Sequence, residues 1–249
     1  MRPDVIDLRE FYDSGLGQIA RRQLRRRIRA FWPDEAGLRL LGLGYATPYL
    51  RGFMGESERV LAFMPAAQGV VHWPPEGPCA TALIDEAELP LPDYSIDRVL
   101  LVHGLENADN VSVLLREIWR VLAPGGRLLM VVPNRRGLWA RFEHTPFGQG
   151  RPFSQPQLSR LLRDTLFTPT QAVSALFVPP SPRRFILRAA AALESLGQRW
   201  WPRFGGVLLV EASKQIYGLV PERRRGRRRR LVPAIRPVAA HRAATSSEP

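Results

Sequence analysis

Residues 89–107, LPLPDYSIDRVLLVHGLEN, and residues 115–134, LREIWRVLAPGGRLLMVVPN, each contain an unbroken apolar run that ends in polar residues. The runs Asp97–Val102 and Arg127–Val132 have strand length and no in–out alternation, the pattern of strands buried on both faces of a parallel sheet. Between them Val111, Leu114, Leu115, Ile118, Val121 and Leu122 recur at three- and four-residue spacing, which is one face of a helix over Val111–Leu122. Strand, helix and strand form a unit with a right-handed crossover. His103, Glu106, Asn107 and Asn134 then fall just past the strands' C-terminal ends, where an open α/β sheet gathers its ligands.

The same grammar extends outward in both directions. Asp7–Trp32 reads as an amphipathic helix, with Leu8, Phe11, Tyr12, Ile19, Leu24, Ile28 and Phe31 on its apolar side and a break at Gly15 and Gly17. A short strand runs through Gly37–Gly44 into a glycine turn, and a helix follows over Pro48–Gly55. Further strands are expected at Arg59–Phe63 and Ala80–Ile84, separated by a turn-rich connection with Pro74 and Pro75. Beyond Asn134, the stretch Arg135–Arg151 reads as a loop with some helix. Ser154 and Gln157 then make a capping box for a helix through Leu166. Ala172–Val178 and Gly206–Ser213 are expected as strands flanking a helix at Arg183–Trp200. The expected fold is α/β: a Rossmann-like three-layer sandwich with a mainly parallel central sheet. An N-terminal helical segment (1–36) precedes the α/β domain (37–220, with a helical insertion at about 179–204). A disordered, arginine-rich tail (221–249) closes the chain.

The chain has 249 residues, enough for one full core and a tail. Cys79 is the single cysteine, which excludes an intrachain disulfide, and the opening MRPDVIDLRE has no signal-like apolar run. A cytoplasmic protein is the resulting expectation. The net charge of +13 is unevenly placed, in Arg21–Arg29 and in Arg223–Arg230, and Lys214 is the sole lysine. Such runs leave open a weak contact with nucleic acid or an anionic membrane. His72, His103, His144 and His241 have no ligand spacing with one another or with Cys79, so no metal is expected.

The pattern from Leu40 to Phe167 resembles the class I S-adenosylmethionine-dependent methyltransferases of the type 11 group. Gly42 and Gly44 match the glycine turn after the first strand, and Asp85 matches the acid after the third. Leu89–Asp97, His103-Gly104-Leu105-Glu106-Asn107 and Leu122–Leu128 match the motifs around the fourth and fifth strands. The resemblance implies S-adenosyl-L-methionine as cofactor, held by Gly42, Gly44, Tyr45, Met64, Asp85, Glu86 and His103. It also implies methyl transfer by in-line displacement to a small or lipid-like acceptor contacted by Tyr12, Asn107, Asn134 and Phe153. The reaction itself demands alignment and desolvation but no obligatory catalytic side chain, with His103 the one weak candidate.

Two readings stay open at several of these positions. Asp85 either receives the adenine amino group or caps a loop, and His103 is either a base or a satisfied core histidine. The segment Pro179–Phe204 is either a lid helix on the core or a surface for an apolar acceptor or membrane. The sequence also departs from the family. Leu40 replaces an acid, Tyr45 and Ala46 replace small residues, and Met64 stands where a carboxylate grips the ribose hydroxyls. Losing two charge-assisted hydrogen bonds of about 1.5–3 kcal/mol each weakens cofactor binding by roughly tenfold to a thousandfold, unless Glu56, Glu58 or a backbone group substitutes. Met64 is alternatively a packing surface for the adenine. The rival functions are a catalytically degenerate binding protein of this fold and an RNA-directed protein using the basic tail.

Overall fold

The computed structural model describes residues 3–215, so the arginine run Arg223–Arg230 and the expected tail 221–249 lie outside the described residues. Seven strands form one sheet: β1 Arg39–Gly44, β2 Arg59–Pro65, β3 Thr81–Ile84, β4 Ile96–Val102, β5 Leu122–Pro133, β6 Phe167–Ala175 and β7 Val207–Lys214. Their order is β3-β2-β1-β4-β5-β7-β6. The first five run parallel, and β7 runs antiparallel to both β5 and β6. The strand order reverses direction between β1 and β4, which makes their carboxyl ends the natural crevice.

Helices cover both faces. On one face α1 (Val5–Asp13), α2 (Gly15–Phe31) and α3 (Thr47–Leu50) pack Leu8, Leu24, Ile28 and Tyr49 against Leu40, Leu100 and Leu129. On the other, α4 (Val111–Val121) and α5 (Gln155–Asp164) pack Leu115, Ile118, Leu158 and Leu162 against Leu41, Val99 and Leu128. Alternate strand residues thus feed two cores, the consequence of period-two side-chain placement in a doubly covered sheet.

The structure corrects several expected boundaries. The N-terminal helix breaks at Ser14, whose hydroxyl accepts from Gly17 N–H at 3.1 Å, so Gly15 opens α2 rather than interrupting a helix. Gly17 lies inside α2, at a point where only glycine fits: a Cβ there would stand 1.9 Å from the Phe11 carbonyl oxygen. α3 stops at Leu50 rather than Gly55. α5 ends at Asp164, and Leu166 at φ 65° turns the chain into β6, which begins at Phe167 instead of Ala172. β6 is an edge strand with exposed Thr168 and Gln171, so its pattern lacks the apolar continuity that marked the central strands. The helix expected at Arg183–Trp200 is two, α6 (Arg184–Arg188) and α7 (Ala190–Trp200).

Arg120, on α4, fixes the approach to β4. Its guanidinium donates to the carbonyls of Leu89 and Leu91 at 2.8 Å each, to Asp93 at 2.8 Å and to Glu117 at 2.8 Å. Glu117 in turn accepts from Leu89 N–H at 2.9 Å. The Leu-Pro-Leu-Pro-Asp stretch is thereby clamped to the helix beneath it. Arg120→Met is expected to cost about 2–3 kcal/mol in urea unfolding, since several charge-assisted bonds are lost at once. The Arg120 hydrogen bond holds the Glu117 carboxyl below its ordinary 4.5. Its contribution to stability is complete above pH 4.5 and is lost as pH falls through the lower folded value. Glu117→Gln should flatten that acid limb of the stability profile; an unchanged slope would refute the clamp.

Candidate functional site

The β1 turn and the exit of β4 meet at the switch point. Gly44 adopts φ 71°, and a Cβ there would lie 2.3 Å from the Val102 carbonyl oxygen and 3.0 Å from Gly104 N. Tyr45 N–H donates to the same Val102 carbonyl at 2.8 Å. Only glycine permits this approach, both for its backbone angle and for its missing side chain. The chain then leaves β4 through His103 at φ 53°, a left-handed conformation that costs a non-glycine residue of order 1 kcal/mol or more and so depends on its surroundings.

Those surroundings are polar and buried. His103 Nε2 lies 2.8 Å from the Tyr12 hydroxyl, which lies 2.8 Å from the Tyr49 hydroxyl. Burial, first of all, raises the Tyr12 phenol well above its ordinary value, with the neighbouring Tyr49 adding to it. The Glu106 carboxylate approaches His103 Nδ1 at 3.3 Å but out of hydrogen-bond alignment. The His103 carbonyl accepts from Gln68 Nε2 at 3.0 Å and Asn107 Nδ2 at 3.2 Å, while Val5 N–H donates to the Gln68 carbonyl at 2.8 Å. α1 is therefore strapped across the β4 exit by its first residue and by Tyr12.

Four acceptor atoms remain buried without a partner among the described residues: Gln68 Oε1, both Glu106 carboxylate oxygens and Asn107 Oδ1. Of these residues, Gln68 and Asn107 line, with His103, a small hollow that shares Pro65, Ala67 and Glu86 with an open groove of about 320 Å³. That groove runs past the ends of β2 and β3 to Asp85, Asn110 and Val113.

The sequence-selected residues thus divide among three places. Asp85 and Glu86 line the groove, and Glu86, His103 and Asn107 line its inner hollow. Tyr12 and Tyr45 line a second cavity of about 540 Å³ together with Arg9, Arg21, Arg51 and Trp73; their rings stack at 5.7 Å with an interplanar angle of 19°. Asn134 lines a third hollow of about 670 Å³ with Arg136, Ser154, Phe177, Gln198 and Arg203. Phe153 pairs with Asn134 in an isolated bridge and packs on the α4–α5 core. Gly42 faces α3, where a Cβ would stand 2.6 Å from Leu50 Cδ1, and Met64 is fully buried in the core. Glu56 and Glu58 precede β2 and so lie at its far end, roughly 20 Å of strand away from the crevice at 3.3 Å per residue. Glu56 is instead ion-paired with Arg29, and neither acid replaces the carboxylate absent at Met64.

Sequence reasoning missed Tyr49 and Gln68. Tyr49 sits in a segment expected as helix, but its single turn gives no periodic signal, and Gln68 lies in an irregular connection. The loop 135–153 carries two short 3₁₀ turns and buries Trp139 and Phe147 against Phe11, so it closes over α1 rather than standing open.

Residues 42–130 match the family model described as "Methyltransferase domain". Over 136 residues the chain is 32% identical to the ubiquinone/menaquinone biosynthesis C-methyltransferase UbiE of Rubrivivax gelatinosus, covering 54% of this chain and 52% of that enzyme. The chain thus spans about half the length of that curated relative. Among solved structures, an SAM-dependent methyltransferase from Thermotoga maritima superposes with a TM-score of 0.57 at 18% identity, covering 80% of this chain and 91% of that one. The [4+2]-cyclase SpnF gives 0.54 at 19% identity, over 80% and 82%. At these identities the likeness shows the fold, and the cyclase illustrates that the fold alone fixes no reaction.

The hydroxyl of Tyr12 is the joint between α1 and the β4 exit. Tyr12→Phe leaves His103 Nε2 and the Tyr49 hydroxyl without their partner and is expected to destabilise by about 1–3 kcal/mol in chemical denaturation. A change below a few tenths of a kcal/mol would mean that the strap carries no strength.

Proposed function

We propose that this chain, a class I S-adenosylmethionine-dependent methyltransferase of the type 11 group, methylates a small, lipid-like aromatic acceptor. The observation that supports it most directly is the groove at the carboxyl ends of β2, β3 and β4, with the unpartnered side-chain oxygens of Gln68 and Asn107 at its inner end. Hydroxyl and ammonium donors, such as those of an adenosyl amino acid, are the chemistry that would satisfy Gln68 and Asn107. Asp85 and Glu86 line the outer part, at the position suited to the adenosine. When bound, the cofactor supplies an electrophilic methyl group on a sulfonium, displaced in line by a lone pair of the acceptor.

The protein's own share is to orient, to exclude water and to hold a proton. His103 Nε2, once its Tyr12 partner is withdrawn, is the atom placed to take a proton from the acceptor. Burial of His103, Tyr12 and Phe147 keeps water from the β4 exit. The relative that acts in quinone biosynthesis supports a planar, apolar acceptor. The contact of Gly44 with Val102 and the stacking of Tyr12 on Tyr45 fill the side of the crevice suited to the amino-acid end of the cofactor. α1 must therefore withdraw before that end lies against the β1 turn.

The same closure favours a second reading, a binding protein of this fold without turnover. Calorimetry with S-adenosylmethionine and S-adenosylhomocysteine separates the cases. The native chain should bind both, and Tyr12→Ala should bind about tenfold more tightly because the competent, open state is no longer rare. No heat at millimolar ligand from either protein would overturn the proposal. Binding without label transfer to a reduced quinone would move the conclusion to the second reading.

A further inference from the structure

Residues 183–204 differ from the rest of the surface. They hold five arginines, Arg183, Arg184, Arg188, Arg199 and Arg203, all exposed, and a single acid, Glu194. None of the five guanidiniums takes part in an ion pair among the described residues. Glu194 points the other way: it is buried, and its carboxylate accepts from Leu176 N–H at 3.1 Å and Phe177 N–H at 2.8 Å. Gly197, one turn on, presses α7 so close to Phe177 that a Cβ would stand 2.4 Å from that residue's Cβ. Ala190, Glu194 and Gly197 therefore form the inward stripe that fixes α7 to the end of β6.

The outward side is left with large apolar rings. Phe185 is 65% exposed, Leu196 51%, Trp200 66%, Trp201 61% and Phe204 57%. Leu196 and Trp200 stand one helical turn apart, on the same stripe. A soluble surface does not ordinarily gather five such residues within twenty positions. Indole rings beside unpaired guanidiniums, with no exposed acid among them, match the boundary between acyl chains and anionic headgroups. Two copies meeting on this patch would bring ten uncompensated arginines together, which argues against self-association.

We propose that residues 183–204 seat the protein on an anionic phospholipid surface. Trp200, Trp201 and Phe204 enter the headgroup–acyl boundary, and the five arginines meet lipid phosphates. This surface stands whether or not methyl transfer occurs. If the proposed activity holds, the same patch brings the protein to the membrane in which a lipid-like acceptor lies.

The test uses the full chain with vesicles of phosphatidylcholine alone, or of phosphatidylcholine mixed with phosphatidylglycerol, carrying brominated acyl chains. Bromine quenches only indoles that reach the acyl boundary, which separates this surface from electrostatic capture by the run Arg223–Arg230. The expected result is flotation with the anionic vesicles, weakened by salt, together with tryptophan quenching. W200S/W201S should lower the partition about tenfold and abolish most of the quenching, and R184Q/R188Q should lower the partition while leaving circular dichroism unchanged. Absence of flotation, flotation without quenching, or equal partition by the variants would overturn the proposal. So would an RNA oligonucleotide that the native chain binds and W200S/W201S does not, with no quenching by lipid, or a concentration-dependent dimer abolished by W200S/W201S that leaves vesicles unbound.

Discussion

The backbone contact between Gly44 and Val102 is the constraint from which the carboxyl edge of this sheet follows. Because the β1 turn has no side chain at Gly44, it closes on the β4 exit, and Tyr45 N–H takes the Val102 carbonyl. Closure forces the next residue, His103, into a left-handed turn. A buried imidazole in a strained backbone needs partners, and Tyr12 and the side chains of Gln68 and Asn107 provide them. The N-terminal helix is therefore tied into the site rather than merely laid over the core. Its amphipathic pattern explains why it packs; the Tyr12 hydroxyl explains where.

The central fold was legible because burial on both faces writes itself into sequence as unbroken runs. β4 and α4 fall where the apolar run of Asp97–Val102 and the spacing of Val111–Leu122 place them, while β5 starts at Leu122, five residues before the apolar run of Arg127–Val132 that marked it. Legibility failed where that signal is absent. β6 is exposed on one side and carries Pro169, so its first five residues read as a connection between a helix ending at Leu166 and a strand starting at Ala172. At the site, chain motifs located the carboxyl ends of the strands but not the walls between them. Tyr12, Tyr45 and Asp85 all belong near the crevice by sequence order, yet the closed β1 turn sends the tyrosines into one cavity and the carboxylate into another. No periodicity encodes a backbone contact between two turns sixty residues apart.

Charge shows a similar gap between sequence and structure. The net excess of arginine invites a single explanation, but the described arginines have different occupations. Arg120 is a structural clamp, Arg39 holds Asp97 at 2.9 Å beneath the sheet's amino end, and Arg29 pairs with Glu56. The arginines of residues 183–204 have none of these duties. Their acid is turned inward to tether the helix, so residues 183–204 leave their arginines and aromatic rings exposed with no exposed acid among them.

The unpartnered acceptors near His103 join these strands of argument. An unmade hydrogen bond on a buried group costs about 1–3 kcal/mol, and more for a carboxylate. Unpartnered oxygens on Gln68, Glu106 and Asn107 make this arrangement costly in free energy compared with one in which donors reach them. The aromatic contacts of Phe11 and Tyr12 with Tyr45, Trp139 and Phe147 act in the opposite sense and hold α1 down. The unmade hydrogen bonds and the ring contacts therefore bear on α1 in opposite senses. The strained His103 backbone sits at the point where those terms meet, and a single phenol–imidazole bond links the strap to the β4 exit.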